Sequence, residues 1–395
     1  MNLPCVESVQ ESKFSPLVYE KDLVTEAEEL MNEIHAMRRN LIRLVGTNPK
    51  SDYRNAHSSS RLVTLGKHKK WLDKNWPKYS NVFAEPKEVF PEAIQPRLEL
   101  VTKQVQRDIF RIARLSWSLP YSMGYGRRLN YLIWDDSNHK LMGILGLQSP
   151  PIGFSARDTT FNIPRERKPE IVNQTMDAYS VGAVPPYSDL LGGKLAVLAA
   201  ASKDVRQDYE QRYEGRITEM EKRVLPAYLI AVTTLSAFGR SSLYNRVSKG
   251  KKGNQNLWAT ASLGNCKGWG TFYFNDDLYR KIKIFHQKLF PDKPVRGFGT
   301  GPKVKQLVIS HVLRQLCLPQ TYLKHNIKRE VFIISHTDNL EDILAGKEET
   351  PIYNDQPFQE LAEFWKGRYC LKRANNRCSC SIDGKQTIAK ALELL

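Results

Sequence analysis

A chain of 395 residues with 41% hydrophobic and 10% aromatic side chains is long enough for two or three folded units and too apolar to be disordered. Its longest apolar run, 195–201, falls far short of the roughly 20 residues a membrane helix needs, and six scattered cysteines do not make a disulfide scaffold. The net charge of +17 points to an anionic partner if the charge is concentrated in one region.

The opening residues lack a basic patch followed by an apolar stretch, so no secretory signal is expected, and the chain reads as soluble, cytoplasmic and reduced at its thiols. Residues 17–45 carry Leu23, Ala27, Leu30, Ile34, Met37 and Leu41 on one helical stripe. Acids come early in this stretch and arginines late, as the helix dipole favours. Residues 46–60 break the pattern and predict a loop; a basic helical segment at 66–76 and a Pro-marked stretch near 86–96 complete a mostly helical region, 1–95.

From there the texture changes. Two apolar runs around Asp-Asp-Ser-Asn-His predict a hairpin over 129–147, and 176–184 predict a strand stopped by Pro185 and Pro186. A helix opened at Gly192-Gly193 is expected over 190–213, then a β-rich run at 227–238 and a short strand at 269–274. A helix at 303–318, a strand at 329–336 and a short helix at 358–365 follow. Alternating strands and helices imply an α/β (mixed α+β) fold, a central mixed sheet flanked by helices. The expected parts are a central domain, 96–295, and a C-terminal extension, 296–395, packed on that core.

The charge is regional. From Arg240 to Arg329, 18 Lys and Arg face three acids (Asp276, Asp277 and Asp292), so this stretch holds +15 of the +17. Concentrated positive charge is the electrostatic footprint of a nucleic-acid binder, and DNA or RNA is the expected partner. Within it, Arg240, Ser241, Ser242, Tyr244, Asn245 and Arg246 supply phosphate-contacting groups, followed by Lys249, Lys251, Lys252 and Lys267. Tyr244, Trp258, Trp269, Phe272 and Tyr273 are aromatic groups able to stack on unpaired bases. The bland alternative is a core aromatic set beside a solvated lysine loop.

Other candidates are weaker. Gly192, Gly193 and Lys194 open a helix after a Pro-stopped strand and suit an anion, or simply a tight strand-to-helix turn. Arg157 and Asp158, with Tyr187, are the candidate catalytic groups; in a strand the first two point to opposite faces. Cys370, Cys378 and Cys380 lack the paired spacing of a zinc knuckle, and neither a metal nor a cofactor is expected.

Several blocks taken together resemble the Druantia anti-phage system protein A family. They are "SWSLPYSMGYGRRLNYLIWD" (116–135), "LMGILGLQSPPIGFSARD" (141–158), "GAVPPYSDLLGGKL" (182–195), "LSAFGRSSLYNR" (235–246), "GWGTFYF" (268–274) and "LKHNIKREVFIISHTDN" (323–339), spread over roughly 85–345. The resemblance implies a multigene defence system with a large helicase-like partner, and it implies no catalytic residue. Asn265-Cys266 departs from the family's usual turn. The order of elements is also faintly similar to the N-acetyltransferase fold. Setting Gly192 on that fold's first phosphate glycine puts Asp189 where it carries Arg or Gln, which disfavours a pyrophosphate. Three functions are therefore weighed: a nucleic-acid-binding defence component, a transferase or nuclease centred on 157–158 and 187–194, or a scaffold whose basic face meets an acidic partner protein.

Overall fold

The computed structural model describes residues 21–44, 49–239, 241–252, 254–292, 302–376 and 382–395. It divides into a smaller unit, 1–43 with 270–325, and a larger one, 44–269 with 326–395. The elements begin with α1 (Lys21–Leu44), α2 (Pro49–Tyr79), β1 (Pro96–Leu100), α3 (Gln104–Leu115), β2 (Arg128–Asp135) and β3 (Lys140–Gln148). Next come α4 (Ser155–Thr160), α5 (Lys168–Asn173), β4 (Thr175–Ala183), α6 (Gly192–Ala199), α7 (Lys203–Tyr213) and β5 (Ala231–Leu235). β6 (Ser248–Lys252), β7 (Gln255–Trp258), β8 (Thr260–Asn265), α8 (Asp276–Leu289), α9 (Pro302–Gln315) and β9 (Glu330–Ser335) follow. The chain closes with α10 (Leu340–Ala345), α11 (Phe358–Trp365), α12 (Leu371–Asn375) and α13 (Gly384–Ala391).

In the smaller unit the apolar stripe of α1 is buried as its spacing requires: Leu30, Ile34 and Leu41 are inside. Leu30 and Ile34 share a core with Ile282 and Phe285 of α8 and with Ile309 and Val312 of α9. α8 is capped by Asn275, whose side chain accepts from the Leu278 N–H at 2.8 Å, and Asp276 and Asp277 sit in its positively polarised first turn. The strand predicted at 269–274 is instead a turned entry to this helix, with Phe274 buried in the unit's core.

The larger unit is built on a seven-stranded mixed sheet in the order β1-β2-β3-β4-β5-β9-β8. β1 to β4 are antiparallel neighbours, β4 and β5 are parallel, and β9 pairs antiparallel with both β5 and β8. β9, from the segment expected as a C-terminal extension, thus lies inside the sheet. Side chains alternate as the pleat demands. Tyr131 and Ile133 face a core with α6 and α11, while Leu132 faces one with α2, α3 and α13. The loop predicted at 46–60 is helix from residue 49, residues 46–48 lying outside the described ones: Pro49 opens α2, and Tyr53, His57, Leu65 and Leu72 are buried at helical spacings. The predicted 190–213 helix is two helices, because Ser202 starts a new one by capping the Val205 N–H. No helix among the described residues is long and apolar enough to cross a membrane.

β4 and β5 pair only over Thr175–Asp177 and Ala231–Thr233. Beyond Asp177, β4 stays on β3 and β5 stays on β9, so the sheet forks. Tyr244 is buried at this fork, its hydroxyl 3.4 Å from Thr234 Oγ1, which in turn donates to Ala178 O at 3.0 Å. α6 begins just past the end of β4 and is locked by α11: the fully buried Trp365 donates its indole N–H to Leu191 O at 3.0 Å. Trp365→Ala is expected to cost about 3–5 kcal/mol of stability, the usual range for a large buried aromatic. Trp365→Phe, which loses chiefly the hydrogen bond and part of the volume, should cost clearly less in a urea titration followed by circular dichroism.

Candidate nucleic-acid interface

β5 and β8 both run antiparallel to β9, so the segment that links them crosses over β9, and it carries the β6–β7 hairpin. Its first turn is held by bonds to main-chain groups. Lys194 Nζ donates to Ser242 O at 3.2 Å and Asn245 O at 2.8 Å, and Thr260 Oγ1 donates to Tyr244 O at 2.6 Å. The Tyr369 hydroxyl accepts from the Ser248 N–H at 2.8 Å and donates to Arg246 O at 3.3 Å. Gln356 Nε2 donates to Lys249 O at 3.2 Å, fixing the base of the hairpin. A polar surface segment is thereby given a defined shape without a core of its own.

The predicted contact residues separate by burial. Ser242, Arg246, Lys251 and Lys267 are exposed, and Ser241 and Asn245 are half-buried. Tyr244 is inside, its ring 5.3 Å from that of Phe332, so it packs in the core and is not offered to a base. Lys249 is the bulged residue of β6 and is also buried, which lowers its pKa. Arg240 lies outside the described residues; the Lys252 main chain pairs with Gln255, and its side chain is outside the description. Trp258 and Trp269 are exposed, whereas Phe272 and Tyr273 are half-buried.

The linear charge count is reshaped by the fold. Residues 240–275 hold six basic side chains and no acid. Downstream, α1 neutralises part of α8, Lys281 pairing with Glu33 and Lys288 with Glu26 at 2.6 Å, while Arg280 pairs within α8 with Asp277 at 3.0 Å. Lys305 Nζ is bound to Phe274 O at 2.7 Å, and Arg329 Nε to Ser236 O at 2.7 Å. Among the described cations of 240–329, Arg246, Lys251, Lys267, Lys283, Arg314 and Lys328 stay exposed without an ion pair, and the first three lie in the acid-free stretch 240–275.

The helix start at 192–194 is filled. The Gly192 N–H donates to Tyr187 O at 2.9 Å, and Leu191 adopts φ 60°. A Cβ on Gly192 would lie 2.8 Å from Tyr187 O, and one on Gly193 would lie 2.5 Å from Leu243 Cδ1. These glycines allow the turn, α6 and the 241–246 segment to pack closely, and the Lys194 ammonium already serves two carbonyls. Gly192→Ala is expected to lower stability by about 1–3 kcal/mol, as overpacking does.

The candidate catalytic groups are not brought together. Arg157 is on α4, fully buried, with Nε and Nη2 at 2.9 and 2.7 Å from Asp158 Oδ1. Lys168 binds the other Asp158 oxygen at 2.8 Å. Burial opposes the Asp158 charge, but Lys168 and Arg157 outweigh it and hold the carboxyl below its ordinary range. Adjacent residues meet here because α4 is a helix, not the strand that would have separated them. Tyr187 lies past the opposite end of β4, its hydroxyl bound to Asp135 Oδ2 at 3.0 Å and Asn138 Oδ1 at 3.1 Å. Burial and Asp135 push its phenol pKa up. Among the described residues, no group of three or more His, Cys, Asp or Glu is placed to hold a metal ion; Cys378 and Cys380 lie outside them.

The sequence reading missed Asp177, the one carboxylate of β4. It sits at the fork, hydrogen-bonded by Gln148 Nε2 at 3.2 Å and Thr233 Oγ1 at 3.1 Å. Burial raises its pKa from 3.8 to about 6, against the opposing pull of those bonds and of Arg329 and Arg157. A lone acid in an apolar strand run was the available signal. The folded state binds this proton more tightly than the unfolded state, so Asp177 stabilises most below pH 4 and loses that contribution as pH rises through about 6. Asp177→Asn cannot ionise, so its stability relative to the parent is expected to improve between pH 4 and 7, by roughly 3 kcal/mol for a two-unit shift. Thermal unfolding across that range reads it, and a pH-independent difference counts against the assignment.

A family model described as Druantia protein DruA matches residues 47–346, which include the whole seven-stranded sheet and the hairpin. A curated Druantia protein DruA from Escherichia coli (strain UMEA 4076-1) is 35% identical over 332 residues, covering 83% of this chain and 80% of the relative. No solved structure matches, so the acetyltransferase likeness gains no support from a known fold. With most of its length matched at this identity, the chain belongs to the Druantia protein DruA family.

Proposed function

We propose that this chain is the nucleic-acid-binding component of a Druantia anti-phage defence system. In this reading it engages DNA through the surface around Arg246, Lys251 and Lys267. Other proteins of the system, including a helicase-like one, then act on the DNA it holds. Family membership supports the defence role. The observation that carries the binding role is the acid-free stretch 240–275, in which Arg246, Lys251 and Lys267 are exposed and whose residues 245–249 are held by Lys194, Tyr369 and Gln356. Cations without acidic neighbours bind a polyanion by releasing its condensed counterions, and solubility requires no such segregation.

Replacing Arg246, Lys251 and Lys267 together by Gln should leave folding intact, because all three side chains are exposed. DNA affinity at moderate salt is expected to fall at least about tenfold, and the slope of log K against log salt to flatten by up to roughly 3 if three phosphate contacts are lost on duplex. Fluorescence anisotropy over a salt series measures both. A folded variant with the parent's affinity and slope would place the interface elsewhere.

A further inference from the structure

The β6–β7 hairpin is two-stranded, and its register fixes which side chains share a face. Lys251 pairs with Asn256, and Trp258 follows two residues along β7, so Lys251, Asn256 and Trp258 share one face. The Trp258 side chain is 50% exposed. A half-exposed indole presents a large planar apolar face that a ligand ring can cover. Asn256 Oδ1 is buried from solvent and accepts no hydrogen bond within the fold. No acidic residue occurs between 240 and 275.

A cation and an aromatic plane on one face are two different demands, and one ligand meets both. A phosphate answers Lys251, and a base face answers Trp258. Duplex DNA keeps its base faces stacked internally and offers only phosphates and groove edges to a surface hairpin. We infer that the ligand of this hairpin is unpaired, single-stranded nucleic acid, with one base stacked on Trp258. The inference rests on the nucleic-acid reading above and adds the strandedness that electrostatics alone does not specify. Trp269, 44% exposed beside Lys267, offers a second indole in the same acid-free segment.

The test compares Trp258→Ala and Trp258→Phe with the parent on a labelled oligothymidine and on a hairpin duplex with the same number of phosphates. The parent should prefer the single strand and show tryptophan quenching when it binds. Trp258→Ala should weaken single-strand binding about 5- to 100-fold, the range for loss of one stacked base. Its duplex binding should change less than about twofold, since it loses no charge. Trp258→Phe, which keeps an aromatic face, should recover most of the single-strand affinity. Equal parent affinity for both ligands, with Trp258→Ala altering neither or both alike, overturns the stacking inference and leaves the electrostatic reading standing. Failure of the parent to bind either ligand overturns the reading beneath it.

Discussion

The parallel pairing of β4 with β5 stops after three residues, and the larger unit is organised around that stop. Two strands that part leave main-chain groups and apolar surface uncovered between them, and both must be satisfied from elsewhere. Tyr244 and Thr234 do so within the fork, while α6 and the turn at 241–246 do so above it. Because Lys194 sits on the first turn of α6 and bonds the carbonyls of that turn, the position of the basic hairpin is set by the same geometry that closes the sheet. The interface is downstream of a packing problem.

This dependence explains why charge in the sequence and charge on the surface differ. Lys194 and Arg329 spend their donors on carbonyls, and Lys281 and Lys288 spend theirs on glutamates of α1. Lysines so used are scaffolding, however basic the segment looks. Arg246 and Lys251, exposed and without an ion pair, lie where the chain crosses from β5 to β8, and Lys267 follows β8. The interior shows a matching economy: Asp177 and His336 are both buried, with His336 pushed down to about 3 chiefly by burial, then by Arg206 and Lys249. Their effects on stability run in opposite directions between pH 4 and 6, so the whole protein's pH profile there understates either group.

Much of the sheet was legible in the sequence because its signals are local. A turn-forming Asp-Asp-Ser-Asn-His between apolar runs specifies a hairpin, and two prolines end a strand. The errors came where local signals conflict. Residues 49–60 are polar enough to read as a loop, yet Tyr53 and His57 are buried one helical turn apart, which only the packed partners reveal. Residues 269–274 have β-favouring aromatics, but Asn275 caps a helix at once and Phe274 belongs to its core. For the interface, composition located the segment and could not rank its members. Tyr244 and Lys249 look as available as Arg246 and Lys251 until the fork and the hairpin's bulge turn them inward.

The place of β9 has a consequence for synthesis. β5 ends at residue 235 and β8 at residue 265, but the strand that joins them begins only at residue 330. A nascent chain emerging in order displays β5 as an unpaired edge, and the hairpin segment as a tether without its far anchor, until β9 follows about a quarter of the protein's length later. Such an edge recruits other strands, which favours misassembly over productive closure if translation stalls there. Completion of β9 is therefore a checkpoint: a truncated product carries the full set of interface lysines and tryptophans yet lacks the strand that holds β8 in register.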